Sequence, residues 1–208
     1  MMLIGVNAFA QLSIGAGYVN SQTREKASSS SEVSTENTNG ITGGFAYSIN
    51  LGKGFAVTPG VYYTFTNKKG VKSGELFGVK LSGEADLQEH YITVPLHLSY
   101  GLEINPDFKI FLYAGPSFSA GIASTTHASG DIAGGILKID GGKIDNYQDG
   151  TDYGRFDLLV GGGLGVDLLK SIRFKVGYDW GMLNRYTGDT EGRTNHRNQL
   201  YAGVAYLF

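Results

Sequence analysis

The chain has 208 residues, 41% hydrophobic and 17% charged, with a formal net charge of −2 and a mean hydropathy of −0.11. Its length fits one domain of the usual ~100–200 residues, and no run approaches the ~18 apolar residues of a spanning helix, so any membrane crossing must be made by strands. The balanced charge offers no basic face for nucleic acid, and the lack of cysteine removes disulfides, thiolate nucleophiles and Cys-based zinc sites.

The first segment, MMLIGVNAFAQ, carries Ala8-Phe9-Ala10, which matches the small-x-small pattern ahead of a signal-peptidase cut. Residues 1–10 are therefore expected to be a signal-peptide remnant, and 11–208 the folded domain.

From there the chain alternates with period two, the mark of strands whose faces meet different environments. Leu12 to Tyr18, Ile41 to Ile49 and Phe55 to Phe65 form the first three expected strands. In the fourth, Ile92, Val94, Leu96, Leu98, Tyr100 and Leu102 oppose Tyr91, Thr93, His97 and Ser99. The fifth sets Ile110, Leu112, Ala114, Pro116, Phe118 and Ile122 against Lys109, Tyr113, Ser117 and Ser119. In the sixth, Phe156, Leu158, Val160, Leu164, Val166 and Leu168 face away from Arg155, Asp157, Gly161, Gly163, Gly165 and Asp167. The seventh opposes Ile172, Phe174, Val176, Tyr178, Trp180 and Met182 to Arg173, Lys175, Gly177, Asp179 and Gly181. The last has Leu200, Ala202, Val204, Tyr206 and Phe208 on one face, and Gln199, Tyr201 and Gly203 on the other.

The connections alternate in length. Leu51 to Gly54, Glu103 to Phe108 and Leu169 to Ser171 are tight; Ser21 to Asn39, Asn67 to Asp86, Ser124 to Asp152 and Thr187 to Arg197 are long and polar. Outer-membrane barrels have this asymmetry, with short periplasmic turns and long extracellular loops, and an even strand number puts both termini in the periplasm. The pattern predicts an all-β fold, an eight-stranded antiparallel up-and-down transmembrane β-barrel in contact with outer-membrane lipid and lipopolysaccharide. The 32 glycines suit a narrow, curved barrel whose interior holds large side chains.

Aromatic residues sort to two levels. Outward Tyr18, Tyr63, Phe65, Phe118, Phe156, Tyr178 and Trp180 lie toward the long-loop end, and Tyr100, Tyr206, Phe208, Phe55 and Phe174 toward the short-turn end. Two such girdles are expected where amphipathic rings meet lipid headgroups. The opposite face carries Glu89, His97, Lys109, Arg155, Asp157, Asp167, Arg173, Lys175, Asp179 and Arg185, with Tyr62, Tyr91, Tyr113 and Tyr201. Buried charges need partners; a register pairing Asp167 with Lys175 would also place Asp157 beside Arg185. An eight-strand interior is just wide enough for side chains to fill, so this cluster is expected to be a structural plug rather than a gated ion path.

Among the loops, Ser21 to Asn39 lacks the apolar surface needed to offset ordering entropy and is expected to be mobile. Lys138-Ile139-Asp140 and Lys143-Ile144-Asp145 flank Gly141-Gly142, a two-residue hairpin signal, and Phe77, Val79 and Leu81 alternate in the second loop. Both pairs are expected to rise above the membrane, where they could touch a protein partner. Asp145, Asp149, Gly150 and Asp152 hint at calcium, but Tyr147 and Phe156 stand where an EF-hand needs an oxygen ligand and a glutamate, so these read as solvated acids and no metal or other cofactor is expected.

His97-Leu98-Ser99 raises the question of a lipid-acting hydrolase. The chemistry needs a base within hydrogen-bond reach of the nucleophile, an orienting group and oxyanion donors. Glu89, the acid on that face, is eight residues from His97, and the threading points His97 into the lumen, away from lipid. His90, His127 and His196 lack metal-ligand spacing. Gly161-Gly162-Gly163-Leu164-Gly165 lies inside a strand instead of opening a helix, which defeats a phosphate-loop reading.

Three segments, Tyr91-Ile92-Thr93-Val94-Pro95-Leu96, Ala114-Gly115-Pro116-Ser117 and Gly203-Val204-Ala205-Tyr206-Leu207-Phe208, resemble the PorT-like outer-membrane β-barrel domain family. Tyr178 with Gly181-Met182-Leu183-Asn184 is similar to that family's penultimate strand, and the likeness runs from about Gln11 to Phe208. The resemblance implies a Gram-negative outer-membrane protein, with a founding member implicated in secretion and maturation of surface proteins. It also implies that the barrel-assembly machinery recognises the last strand through Gly203, Val204, Tyr206 and Phe208. The expected role is non-enzymatic: interaction through loops or periplasmic rim, in secretion or assembly support or envelope structure. A small pore or lipid-modifying hydrolase is the second reading, and a soluble lipocalin-like barrel, with the two faces inverted, the third.

Overall fold

The computed structural model describes residues 10–27, 32–76, 79–132, 137–148 and 153–208. Nine strands are found among them: β1 (Ala10–Lys26), β2 (Val33–Gly52), β3 (Phe55–Leu76), β4 (Val79–Asn105), β5 (Phe108–Ile132), β6 (Leu137–Asp145), β7 (Phe156–Leu168), β8 (Ile172–Gly181) and β9 (Thr194–Leu207). All pair antiparallel. Eight of them close a ring in the order β1-β2-β3-β4-β5-β7-β8-β9, with β1 joined back to β9, and β6 adds to β5 beyond the ring. The fold is thus the expected eight-stranded barrel, with one further strand, β6, where the sequence suggested a two-stranded hairpin about Gly141-Gly142.

The short turns set the register. Leu169 and Lys170 both take left-handed φ, 52° and 59°, and the Ser171 amide donates to Leu168 O at 3.1 Å. This is a type I′ geometry, whose twist matches that of antiparallel strands. The β2–β3 turn runs through Gly52, Lys53 and Gly54, all at positive φ, and a side chain at Gly54 would also strike the Gly101 carbonyl.

At the other end the strands overrun the predicted loops. β4 has 27 residues, against the ~9–11 that cross a bilayer. β1 and β2 stay paired out to Lys26 and Val33, so the expected mobile loop at 21–39 is largely a hairpin. The correction has a physical basis: a backbone ladder needs no apolar side chains, and Ser, Thr and Asn are compatible with it. β3 and β4 pair out to Leu76 and Val79, and β4 and β5 to Leu81 and Ile132. Val79 and Leu81 therefore lie in β4, while Phe77 is outside the described residues. Gly141-Gly142 is not a turn: β6 passes through it as a bulge, with Lys143 facing His127 and Asp140 facing Ser129, and Gly142 at φ 76°. The expected signal remnant falls outside the described residues except for Ala10, which opens β1.

The wall is oily outside and polar inside. Phe156 is 76% exposed and Ile41 67%, whereas Arg197 is 1% and Asp157 5%. Such sidedness reverses that of a soluble lipocalin-like barrel.

Candidate functional site

The lumen is filled by three tiers of side chains, each set by strand register. Nearest the short turns, Asp167 on β7 stands opposite Arg173 on β8. The pair is bidentate, Nε to Oδ1 at 2.6 Å and Nη2 to Oδ2 at 2.8 Å, a geometry that strengthens charge-assisted bonds. Arg173 also reaches Ser48 at 3.3 Å and lies 4.7 Å over the Phe111 ring. Asp167 thus pairs with Arg173 and not with Lys175, because the turn at Leu169-Lys170 makes Asp167 and Arg173 direct neighbours.

In the middle tier Lys175 places its Nζ 4.0 Å over the Tyr113 ring, and Tyr113 lies 5.0 Å from His97. His97 Nε2 faces the Ser117 hydroxyl at 3.4 Å, while Ser99 donates to Ala56 O. The predicted His-x-Ser pair is therefore not a pair: the two residues meet different partners. Asp179, Tyr62 and Tyr201 line the remaining space, about 60 Å³, room for about two waters at a liquid share of ~30 Å³ each. Glycine makes this packing feasible, since a Cβ at Gly177 would collide with the Tyr113 hydroxyl and one at Gly165 with the Phe111 ring.

The third tier lies toward the long hairpins. Arg197 lays its guanidinium 3.8 Å over the Tyr91 ring, reaches Asp157 at 3.4 Å and donates to Ser119 at 2.8 Å. Tyr91 donates to Glu89 at 2.6 Å, and Arg185 approaches Glu89 at 3.8 Å and the Tyr91 hydroxyl at 3.4 Å. Asp157 therefore takes Arg197 as its partner, and Arg185 takes Glu89. Arg197 was missed because it closes a segment read as loop, yet it shares the odd parity of Gln199, Tyr201 and Gly203.

Above this tier Tyr147 is buried against Gly121, with Arg155 at 5.0 Å over its ring and bonded to its carbonyl. Arg155 itself is exposed at the mouth and not inside the lumen, because β7 begins one residue later. Lys109 is half-buried at the opposite mouth, where an open vestibule of about 760 Å³ is lined also by Asp167 and Arg173. At the long-hairpin end Glu25 accepts from Tyr153 at 2.8 Å and Arg193 at 3.0 Å, tying three separate chain segments together. Partial burial pushes the Glu25 carboxyl up, but hydrogen bonds from Tyr153 and Arg193, the Arg193 charge and Asn195 outweigh it and hold the carboxyl below its ordinary value. The acids weighed for calcium do other work or fall elsewhere: Asp145 accepts from the Tyr147 amide, and Asp149, Gly150 and Asp152 are outside the described residues.

On the outer face, Tyr18, Tyr63, Tyr100, Phe118 and Trp180 are exposed, and Phe65 and Tyr178 half-buried. A polar belt starts just beyond the girdle at the long-hairpin end. Tyr18 donates to Asn39 at 2.5 Å, Tyr178 to Gln22 at 3.0 Å and Asn67 to Asp86 at 2.9 Å, while Tyr63 meets His90 at 2.5 Å. At the other end Phe55 packs on Tyr100, and Tyr206 on Phe208. Gly203 lies in β9 opposite Gly17 and Lys175, and Val204 is exposed on the outer face.

The family described as outer membrane protein beta-barrel domain matches residues 6–186. Among solved structures, Ail, the attachment invasion locus protein of Yersinia pestis, in complex with the heparin analogue sucrose octasulfate, is similar over 96% of this chain and 99% of its own, at 14% identity and a TM-score of 0.46. Neisserial surface protein A covers 95% of this chain and 97% of its own, at 16% identity and a TM-score of 0.44. The outer-membrane enzyme PagL covers 95% and 98%, at 11% identity and a TM-score of 0.37. No curated protein matches the chain.

Proposed function

The chain belongs to the outer membrane protein beta-barrel domain family and is an integral outer-membrane β-barrel of Gram-negative type; on that premise we propose that it acts without catalysis, by binding a protein partner through its long hairpins. These hairpins face the cell exterior and both termini the periplasm, the arrangement usual for barrels with one short-turn end. The observation that carries the reading is the continuation of the wall beyond its oily band as a sheet of β3, β4, β5 and β6, paired out to Leu76, Leu81 and Ile132. An ordered platform above a filled lumen suits recognition better than transport. The partner we favour is one in secretion or assembly of surface proteins, a reading supported by the resemblance of Tyr91 to Leu96 and Gly203 to Phe208 to the PorT-like family.

Against a pore stands the narrowness of the middle tier, about 60 Å³. Against a hydrolase stands the position of His97, 8% exposed and inside the barrel. The test is photo-crosslinking in cells from His127, on the protruding sheet, with Thr58, in the lumen, as the control site. The reading expects one recurrent protein adduct at position 127 and none at 58. Stepwise conductance of the pure protein in planar bilayers, or lipid turnover lost in His97→Ala, would replace it with the pore or the enzyme.

A further inference from the structure

One edge of the protruding sheet is open. β6 pairs with β5 along one side, and among the described residues no strand takes its other side. An unpaired edge offers a row of backbone donors and acceptors to another chain, and charged side chains or a bulge ordinarily guard it. β6 has both, arranged so that they fit a second copy of itself.

The segment reads Lys138-Ile139-Asp140-Gly141-Gly142-Lys143-Ile144-Asp145, the same three residues on either side of two glycines. Laid antiparallel on a second copy about those glycines, it sets Asp140 opposite Lys143, Ile139 opposite Ile144 and position 138 opposite Asp145. Opposite charges and apolar pairs both stabilise antiparallel strands when they face each other. In a regular strand this twofold register is closed, because residues 140 and 143 would point to opposite faces. The bulge opens it. Gly141 and Gly142 together stand against Ala128, with Gly142 at φ 76°. Asp140 and Lys143, facing Ser129 and His127, therefore share one face of the sheet, and Ile139 and Ile144, facing Gly130 and Thr126, share the other. All four side chains are exposed.

Strand direction fixes where the second copy stands. β5 climbs from its short turn at Phe108 to Ile132, and β6 returns beside it toward the bilayer. A copy in the same membrane has a β6 that also descends, so the two cannot run antiparallel; a copy in a facing membrane presents one that runs the other way. The heights agree. The glycines lie level with Ala128, about eight residues beyond Ala120, where pairing of β5 with β7 ends; at ~3.3 Å per residue and a tilt of ~45° that is about 19 Å. Each sheet rises about six residues further to Val79, about 14 Å, so its tip clears the rim of the facing barrel. Resting on the outward placement of the hairpins, we propose that β6 is a homophilic contact, pairing antiparallel with β6 of a second copy on an apposed cell. The same strand serves both copies, as a twofold interface requires, and many such small contacts between two surfaces add by avidity.

The chain has no cysteine, so introduced thiols report the register. Ile139→Cys and Ile144→Cys are made in separate full-length chains. Under mild oxidation a mixture of the two is expected to give roughly tenfold more disulfide-linked dimer than either alone, because identical positions lie beyond the ~7 Å Cα separation that a disulfide spans. The excess is expected in detergent micelles and between two mixed cell populations. Adding Lys143→Asp to both chains sets like charges opposite each other and is expected to remove it, and adding Asp140→Lys as well to restore it. Heat-dependent gel migration verifies that each barrel is folded. No excess in micelles, a dimer that survives Lys143→Asp, or one that the charge exchange fails to restore each overturns the strand pairing. An excess in micelles but not between cells overturns the cell contact. Orientation is read separately, by labelling the thiol at position 144 on intact cells with a membrane-impermeant maleimide. Absent labelling overturns the outward placement, while the micelle result still decides the pairing.

Discussion

Arg197 sits with its guanidinium 3.8 Å above the ring of Tyr91 while its Nε reaches Asp157 at 3.4 Å. Side chains from β9, β4 and β7 are thereby joined across the lumen. Arg197 is 1% exposed and Asp157 5%, so each neutralises a charge that would otherwise be stranded in a low dielectric. Removing one partner of such a buried pair costs about 3–5 kcal/mol. Arg197→Ala is expected to lower stability by that amount in urea unfolding from lipid vesicles. Adding Asp157→Leu to it should restore more than half, because the stranded carboxylate is gone. Equal destabilisation by the single and double variants would show that packing, not charge compensation, holds this tier.

The Leu169-Lys170 turn holds two ordinary residues in left-handed conformation, at a cost of ~1–2 kcal/mol for each L-residue so placed. Both side chains are exposed, so replacing them removes little packing. Leu169→Asn with Lys170→Gly supplies the residues that a type I′ turn favours and is expected to raise unfolding stability by about 1 kcal/mol. A fall in stability would mean that the Leu side chain has a packing role that its exposure hides.

Low pH should loosen the long-hairpin mouth through Glu25. Its carboxyl is held below the ordinary value of 4.5, so the folded state favours the charged form. The stabilisation is fully present above the unfolded value and is lost as pH falls through the lower folded one. Glu25 is about one-third exposed, which keeps the effect small through solvent screening. Wild type and Glu25→Gln, compared by unfolding across pH 3 to 7, are expected to differ most near neutrality and to converge below about 4.5. A constant difference would remove Glu25 from the account.

What the chain declares in its sequence is what a bilayer imposes. Between two environments each strand must alternate, so Ile92 to Leu102 and Ile172 to Met182 could be threaded by parity alone, and their outer faces lie where expected. Beyond the lipid both faces meet water, and the period fades: Thr194 to Arg197 reads as the end of a loop although it is strand. Pairing partners are a different matter, since they depend on the register of each turn. With Leu169 and Lys170 at the turn centre, Asp167 meets Arg173; a turn shifted by one residue on each side would have given Lys175 the role. Nor does Gly141-Gly142 distinguish a bulge from a turn, as both use left-handed glycine; the neighbouring β5 decides it.

Phe208 donates its amide to Leu12 O at 2.9 Å and stacks its ring 4.9 Å from Tyr206, with 66% of its surface exposed. Those contacts are few and exposed, and we propose that the residue acts mainly in assembly. Phe208→Ala is expected to refold normally in detergent yet to accumulate less in the outer membrane of cells. Normal cellular insertion would contradict a terminal assembly signal.

The central claim is that the oily face of the wall points to lipid and the charged face inward, and the chain's one tryptophan reports on it directly. Trp180 is 53% exposed on the outer face. In vesicles of brominated phosphatidylcholine its fluorescence should be strongly quenched, with blue-shifted emission that aqueous iodide leaves unchanged. Quenching by iodide without quenching by the brominated lipid would place Trp180 against water and contradict the account.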